Sequence, residues 1–298
     1  MTTAPLPTSP TSPTSPTSSG PAAWLDAAPP DGLRTRGTVL IVPGRGEGVA
    51  TYRRLATRLA VDAYRVRVLP SPVLDPRPTA TDDAGRPRSD VGAGAVAQDL
   101  AAALSAAVAG IADEPVRPLV LVGVDSGAAV LAALLAVREA DGTEPGPLAK
   151  PWWPDAVVLA GLPAHGARLA ATGWEEELDA RTHCPVHRVA LGDDPTVRPG
   201  ALADAVPDAL LDLAYGSTSG IPTLLLVGDS DPLADRDALT RLAKALPVAR
   251  LAVVRGAHRD VLNDLQHRSV AAEVVGFLEA LRTAPPLVST ITVESSTW

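Results

Sequence analysis

Sulfur and aromatic side chains are scarce in this chain: one cysteine, one methionine, one phenylalanine and three tyrosines in 298 residues. The single Cys184 excludes an internal disulfide. No cluster of lysine or arginine interrupts an overall charge of −8, which argues against nucleic acid or an anionic membrane as the main partner. A small, neutral molecule fits this balance better. The first residues form neither a basic stretch nor an apolar one of the kind that directs export, so a cytoplasmic protein is expected. One run, Leu119 to Val137 (LVLVGVDSGAAVLAALLAV), is nearly long enough to cross a bilayer. It carries Asp125, and an ionised carboxylate in such a run is costly unless donors surround it.

What is abundant organises the rest. Residues 1 to about 30 repeat Pro, Thr and Ser with almost nothing to bury and read as a disordered tail. Residues 31–283 read as one domain. The last fifteen, from Ala284, open on a Pro-Pro stop and form a C-terminal extension whose alternation would suit an edge strand. Within the domain, short β-branched or Leu/Val runs alternate with longer Ala/Leu-rich stretches, the pattern of a mostly parallel sheet with helices on both faces. Strands are expected at 38–43, 64–70, 119–124, 156–161, within 222–232 and at 249–256. Over 50–62, Tyr52, Leu55, Ala56 and Leu59 fall on one helical face. A loop is expected at 75–94. The rhythm breaks between about 162 and 220, where two short helical pieces, near 173–181 and 200–214, suggest a small helical cap inserted over the sheet.

This layout gives the apolar run a different meaning. As strand, sharp turn and helix it obeys the small-x-nucleophile-x-small rule of a nucleophile elbow, with Gly123, Val124, Asp125, Ser126 and Gly127 in order. The outer glycines fit because strand and helix backbones approach closely there. Asp125 is then the central residue. Shifting by one makes Ser126 the nucleophile, but places Val124 in a small position. Asp231 (or its neighbour Asp229) ends one later strand and can orient a histidine; His258 ends the next. The chain order nucleophile, acid, histidine follows. The backbone N–H groups of Arg45, in PGRGEG, and Ser126 would form an oxyanion hole. His183, Cys184 and His187 resemble a fragment of a metal site, but no second cluster supplies ligands, and Gly44, Gly46 and Gly48 have the wrong spacing for a dinucleotide loop. No metal or cofactor is expected.

With these motifs the chain resembles the α/β-hydrolase superfamily over about residues 33–283, and most of all its lysophospholipase and monoacylglycerol-lipase branch. PGRGEGVATYRRLATRLAVDAYRVRVLP is similar to that branch's HGxGE segment, and GAHRDVLNDLQHRSVAAEVVGFLEAL to its histidine segment and last helix. The resemblance implies a cap between the sixth and seventh strands of the standard fold. Two departures stand out: Pro43-Gly44 replaces the usual His-Gly, and Asp125 replaces the elbow serine. An elbow aspartate is typical of epoxide hydrolases and haloalkane dehalogenases, although the Trp that commonly follows theirs is Ser126 here, and only Tyr215 lies in the expected cap.

Three readings follow. In the first, a covalent hydrolase of a small, fairly apolar substrate, the Asp125 carboxylate attacks a saturated carbon bearing a halide or an epoxide oxygen. His258, held by Asp231, then activates water against the resulting ester. In the second, Ser126 is the nucleophile of a carboxylic-ester hydrolase. In the third, the chain is a non-catalytic ligand-binding protein on the same fold. The sequence leaves oligomeric state open.

Overall fold

A computed structural model describes residues 24–74, 89–111, 114–140, 150–170, 173–283 and 286–288. The repetitive part of the expected tail and nearly all of the C-terminal extension lie outside the described residues.

Seven strands form one sheet in the order β1-β3-β2-β4-β5-β6-β7. They are β1 (Leu25–Ala27), β2 (Gly37–Val42), β3 (Tyr64–Val68), β4 (Leu119–Val124), β5 (Ala156–Ala160), β6 (Thr223–Gly228) and β7 (Ala249–Val254). β1 pairs antiparallel with β3, and every other pairing is parallel. Central strands are buried along their whole length, which explains why they read as continuous apolar runs rather than alternations.

Each face of the sheet carries its own core. Leu40, Val42, Leu119 and Leu121 face α2 (Ser89–Ala109), α3 (Ser126–Ala140), α6 (Asp208–Tyr215) and α7 (Arg236–Ala245). Val39, Ile41, Val120 and Val122 face α1 (Arg53–Val61) and α8 (His267–Ala280). The period-2 alternation of a strand thus splits one hydrophobic string between two layers. Tyr52, Leu55, Ala56 and Leu59 are all buried, as the helical spacing predicts. The Asp235 side chain accepts from Ala238 N at 2.9 Å and caps α7.

Three elements depart from expectation. Leu25–Ala27, expected in the tail, is a strand. Its neighbours explain it: Asp26 pairs with the nearly buried Arg67, and Trp24 lies under that guanidinium with the ring centroid 4.4 Å away. Helix α2 begins at Ser89, inside the expected loop over 75–94. Finally, α6 belongs to the helical layer rather than to a cap, because Leu210, Leu211 and Ala214 are buried with α3 in the same core. The excursion over the sheet edge therefore comprises α4 (Trp174–Arg181), α5 (Pro185–Asp193) and their loops.

Candidate functional site

The run from Leu119 to Val137 is not one helix: β4 ends at Val124 and α3 begins at Ser126. Between them Asp125 takes φ = +49°, the left-handed region that Asp tolerates better than most residues. Its N–H donates to Ala160 O at 2.9 Å and its carbonyl accepts from Ala128 and Ala129. The flanking glycines are required by contact. A Cβ on Gly127 would stand 2.4 Å from the carbonyl oxygens of Val42 and Pro43, and one on Gly123 would meet the Ala128 Cα at 2.7 Å. The strand-to-helix turn is the elbow that the sequence predicts, with Asp125 at its tip.

Both carboxylate oxygens of Asp125 are fully engaged. Oδ2 accepts from the Arg45 backbone N at 2.9 Å and from Arg45 Nε at 2.8 Å; Oδ1 accepts from Arg45 Nη2 at 2.8 Å and from Arg259 Nη2. Arg259 continues the chain, donating Nη1 to Asp231 Oδ2 at 2.8 Å, while Leu233 N donates to Asp231 Oδ1. Asp125, Arg45 and Arg259 are each at most 4 % exposed. Two carboxylates and two guanidiniums thus make a neutral buried network. Burial alone would push the Asp125 carboxyl up, but the charges of Arg259 and Arg45, with the hydrogen bonds of Arg45, hold it well below the usual carboxylate range. Burial likewise works against the Arg259 charge, and Asp231 and Asp125 more than restore it.

The position between Asp125 and Asp231 is therefore filled by Arg259, not by its predecessor His258. The expected His258–Asp231 pair does not form: Asp231 accepts from Arg259 and from Leu233 N, and His258 turns to Asp264. His258 Nδ1 lies 2.9 Å from Asp264 Oδ2, its backbone N donates to the same oxygen, and its ring packs on His183 with centroids 3.7 Å apart. Asp264, held at about 2 against the cost of burial by donors from His258, Thr182 and Leu265, lies outside the residues that the sequence motifs point to. Of the remaining predicted residues, Ser126 is buried in the first turn of α3, and the Arg45 amide does reach the elbow, where it meets the Asp125 side chain itself. Asp229 caps the β7 turn through Gly256 N. His183 and His187 part company, His187 Nε2 lying 2.9 Å from Asp260.

A second buried cluster fastens α4 and α5 to the loops at this edge. Arg181 donates to Glu177 at 2.8 Å and to the Arg45 carbonyl at 2.8 Å, and approaches Asp260 at 3.6 Å and Glu47 at 3.8 Å. Three carboxylates around one guanidinium leave excess negative charge. Burial, and then Asp260, push the Glu47 carboxyl up to about 7, while Tyr52 and Gly44 donate to it. Beside both clusters lies a cleft of about 810 Å³ lined by Arg45, Glu47, Val73, Leu74, Arg198 and Pro207 among others.

The sequence signal for Arg259 existed. A buried elbow carboxylate demands a cation, and two arginines stand in the loops that converge on it, Arg45 and Arg259.

Neither a protein-family model nor a curated protein sequence matches this chain. Solved structures do. A soluble variant of the monoglyceride lipase of Saccharomyces cerevisiae is similar at TM-score 0.58 and 16 % identity, over 86 % of this chain and 90 % of that one. The monoacylglycerol lipase of Paleococcus ferrophilus gives 0.57 and 18 %, over 86 % and 97 %, and a carboxyl esterase of Bacillus coagulans 0.59 and 14 %, over 89 % and 94 %. The chain has the α/β-hydrolase fold.

Proposed function

We propose that this chain is a ligand-binding protein that keeps the α/β-hydrolase fold without a hydrolytic centre. One observation carries the reading: Arg259 stands where a base would have to stand, bridging Asp125 and Asp231. Hydrolysis on this fold needs a group there that takes a proton and returns it. A guanidinium stays protonated at every physiological pH, and these two carboxylates bind its proton more tightly still.

The nucleophile is restrained as well. A carboxylate attacks through a lone pair, and four donors already occupy the lone pairs of Asp125. Displacing Arg45 or Arg259 would strand a buried charge, a change that costs on the order of 3–5 kcal/mol. The cleft beside the network is large enough for a small organic ligand, and Val73, Leu74 and Pro207 give it apolar wall.

The test is intact-protein mass spectrometry after incubation with a fluorophosphonate, p-nitrophenyl esters, epoxides and haloalkanes. The expected result is no adduct on Asp125 or Ser126 and no turnover. An alkyl ester on Asp125 would restore the covalent-hydrolase reading, and a fluorophosphonate adduct on Ser126 the ester-hydrolase reading; either overturns this one.

A further inference from the structure

We propose that the cleft between α1 and the start of α8 is a binding site for a tetrahedral dianion of the phosphate-monoester class. None of its lining residues belongs to the Asp125 network, and it does not rest on the reading given above. The cleft holds about 150 Å³, room for one phosphoryl group and the first atoms of its substituent. Arg54, Arg58, His267 and Arg268 surround an apolar floor that includes Leu55 and Leu262, and no carboxylate lines it. In a chain of net charge −8, this is a local concentration of the opposite sign.

Of the three arginines, only Arg58 has a carboxylate partner among the described residues. Arg54 gives its hydrogen bonds to neutral acceptors, the Asn263 carbonyl and, at 3.6 Å, Cys184 Sγ. Arg58 meets Asp62 at 3.2 Å in an exposed pair four residues along α1, of the kind worth little in water. Among the described residues Arg268 has no ion pair with a carboxylate. His267 is the first residue of α8, and the first turn of that helix contains no acidic side chain, so the positive end of the helix adds to the field. Partial burial lowers the His267 pKa, and the charges of Arg54 and Arg268 lower it further.

A dianion answers each of these features. Guanidinium forks match phosphate oxygens with paired, charge-assisted hydrogen bonds. A bound dianion would also favour protonation of His267, so affinity should rise as pH falls. Carboxylate ligands offer a single charge in one plane and satisfy fewer of the donors.

The experiment uses the full chain and follows the His267 imidazole by NMR. Sulfate serves as the probe because its charge does not change between pH 5.5 and 8, with sodium chloride at matched ionic strength as the reference. Saturable binding of sulfate, with the His267 pKa moving upward, is expected. Arg58→Gln with Arg268→Gln should weaken it by about tenfold or more, the scale of one lost charge-assisted hydrogen bond. Both side chains are exposed, and an unchanged circular dichroism spectrum certifies the fold. A response to sulfate no different from chloride, or undiminished affinity in the double variant, overturns the proposal. Inorganic phosphate and phenyl phosphate form the last arm: equal or tighter binding of the ester supports a monoester site, and exclusion of the ester refutes that class.

Discussion

Replacing Arg259 by Gln, alone and with Asp125→Asn, probes the central network through its energetics. Arg259 is 1 % exposed and holds two carboxylates, Asp125 and Asp231, whose side chains are 6 % and 0 % exposed. Removing the guanidinium leaves Asp231 with the Leu233 amide and Asp125 with Arg45 alone, an uncompensated buried negative charge. Breaking a buried pair in this way costs about 3–5 kcal/mol. Asp125→Asn should cost a similar amount, since it sets an amide donor or a neutral oxygen against guanidiniums that expect a carboxylate. The double variant should not cost the sum. The second substitution relieves the imbalance left by the first, and residues in direct contact couple by up to about 3 kcal/mol; about 2 kcal/mol is expected here. Urea unfolding followed by tryptophan fluorescence measures it, with an unchanged m-value certifying that only stability moved. As a control, Arg188→Gln breaks pairs with the exposed Glu175 and Asp179 and should cost less than about 1 kcal/mol. Additivity of the Asp125 and Arg259 substitutions to within about 0.5 kcal/mol would refute the claim that the two charges sustain each other.

Two more predictions bear on the same site. Asp125→Ser with Arg259→His places a hydroxyl, an imidazole and Asp231 along the path that the ion pairs follow now, so the double variant should acquire fluorophosphonate labelling at residue 125 that neither single variant shows. Absence of labelling in a folded double variant would mean that Arg259 does not occupy the base position. The second concerns acid. Asp125 and Asp264 both titrate below the ordinary aspartate value of 3.8 when folded, so each contributes stability that is complete above that value and lost as pH falls through the folded one. Unfolding free energy should therefore drop steeply below pH 4, and Asp264→Asn should flatten part of that slope. Glu47 runs the opposite way: its carboxyl is raised from 4.5 to about 7, so the stability it confers is present at low pH and fades between those values. The penalty of Glu47→Gln should be smaller at pH 8 than at pH 5.

Much of this architecture is legible in the sequence because its signals are local and strong. Strands such as Leu119–Val124 are bounded apolar runs, and the elbow is fixed by two glycines whose missing side chains are a steric requirement. What escapes is long-range pairing. Leu25–Ala27 is too short to announce a strand, and only Arg67, 41 residues away, gives Asp26 a reason to be ordered. Over 208–215 the apolar pattern does not say which layer will bury it, and α3 decides that. At the candidate site, His258 and Arg259 are adjacent, and sequence order alone favours the residue type associated with catalysis. Registration by one residue is set by the three-dimensional course of the loop, where Arg259 N donates to Ala180 O and Asp260 N to Arg181 O, turning the Arg259 side chain inward.

The Asp125–Arg259 pair also constrains how this molecule can change over time. A single substitution at either position leaves an unbalanced buried charge, whereas the two together restore the charge balance. Positions 125 and 259 should therefore vary as a unit among this chain's descendants and kin, opposite charges appearing or disappearing in concert. On the reading proposed above, a serine placed at the elbow by one substitution would meet the Arg259 guanidinium instead of a base. On that reading the ion pair would act as a ratchet, because neither substitution alone would set a serine beside a base.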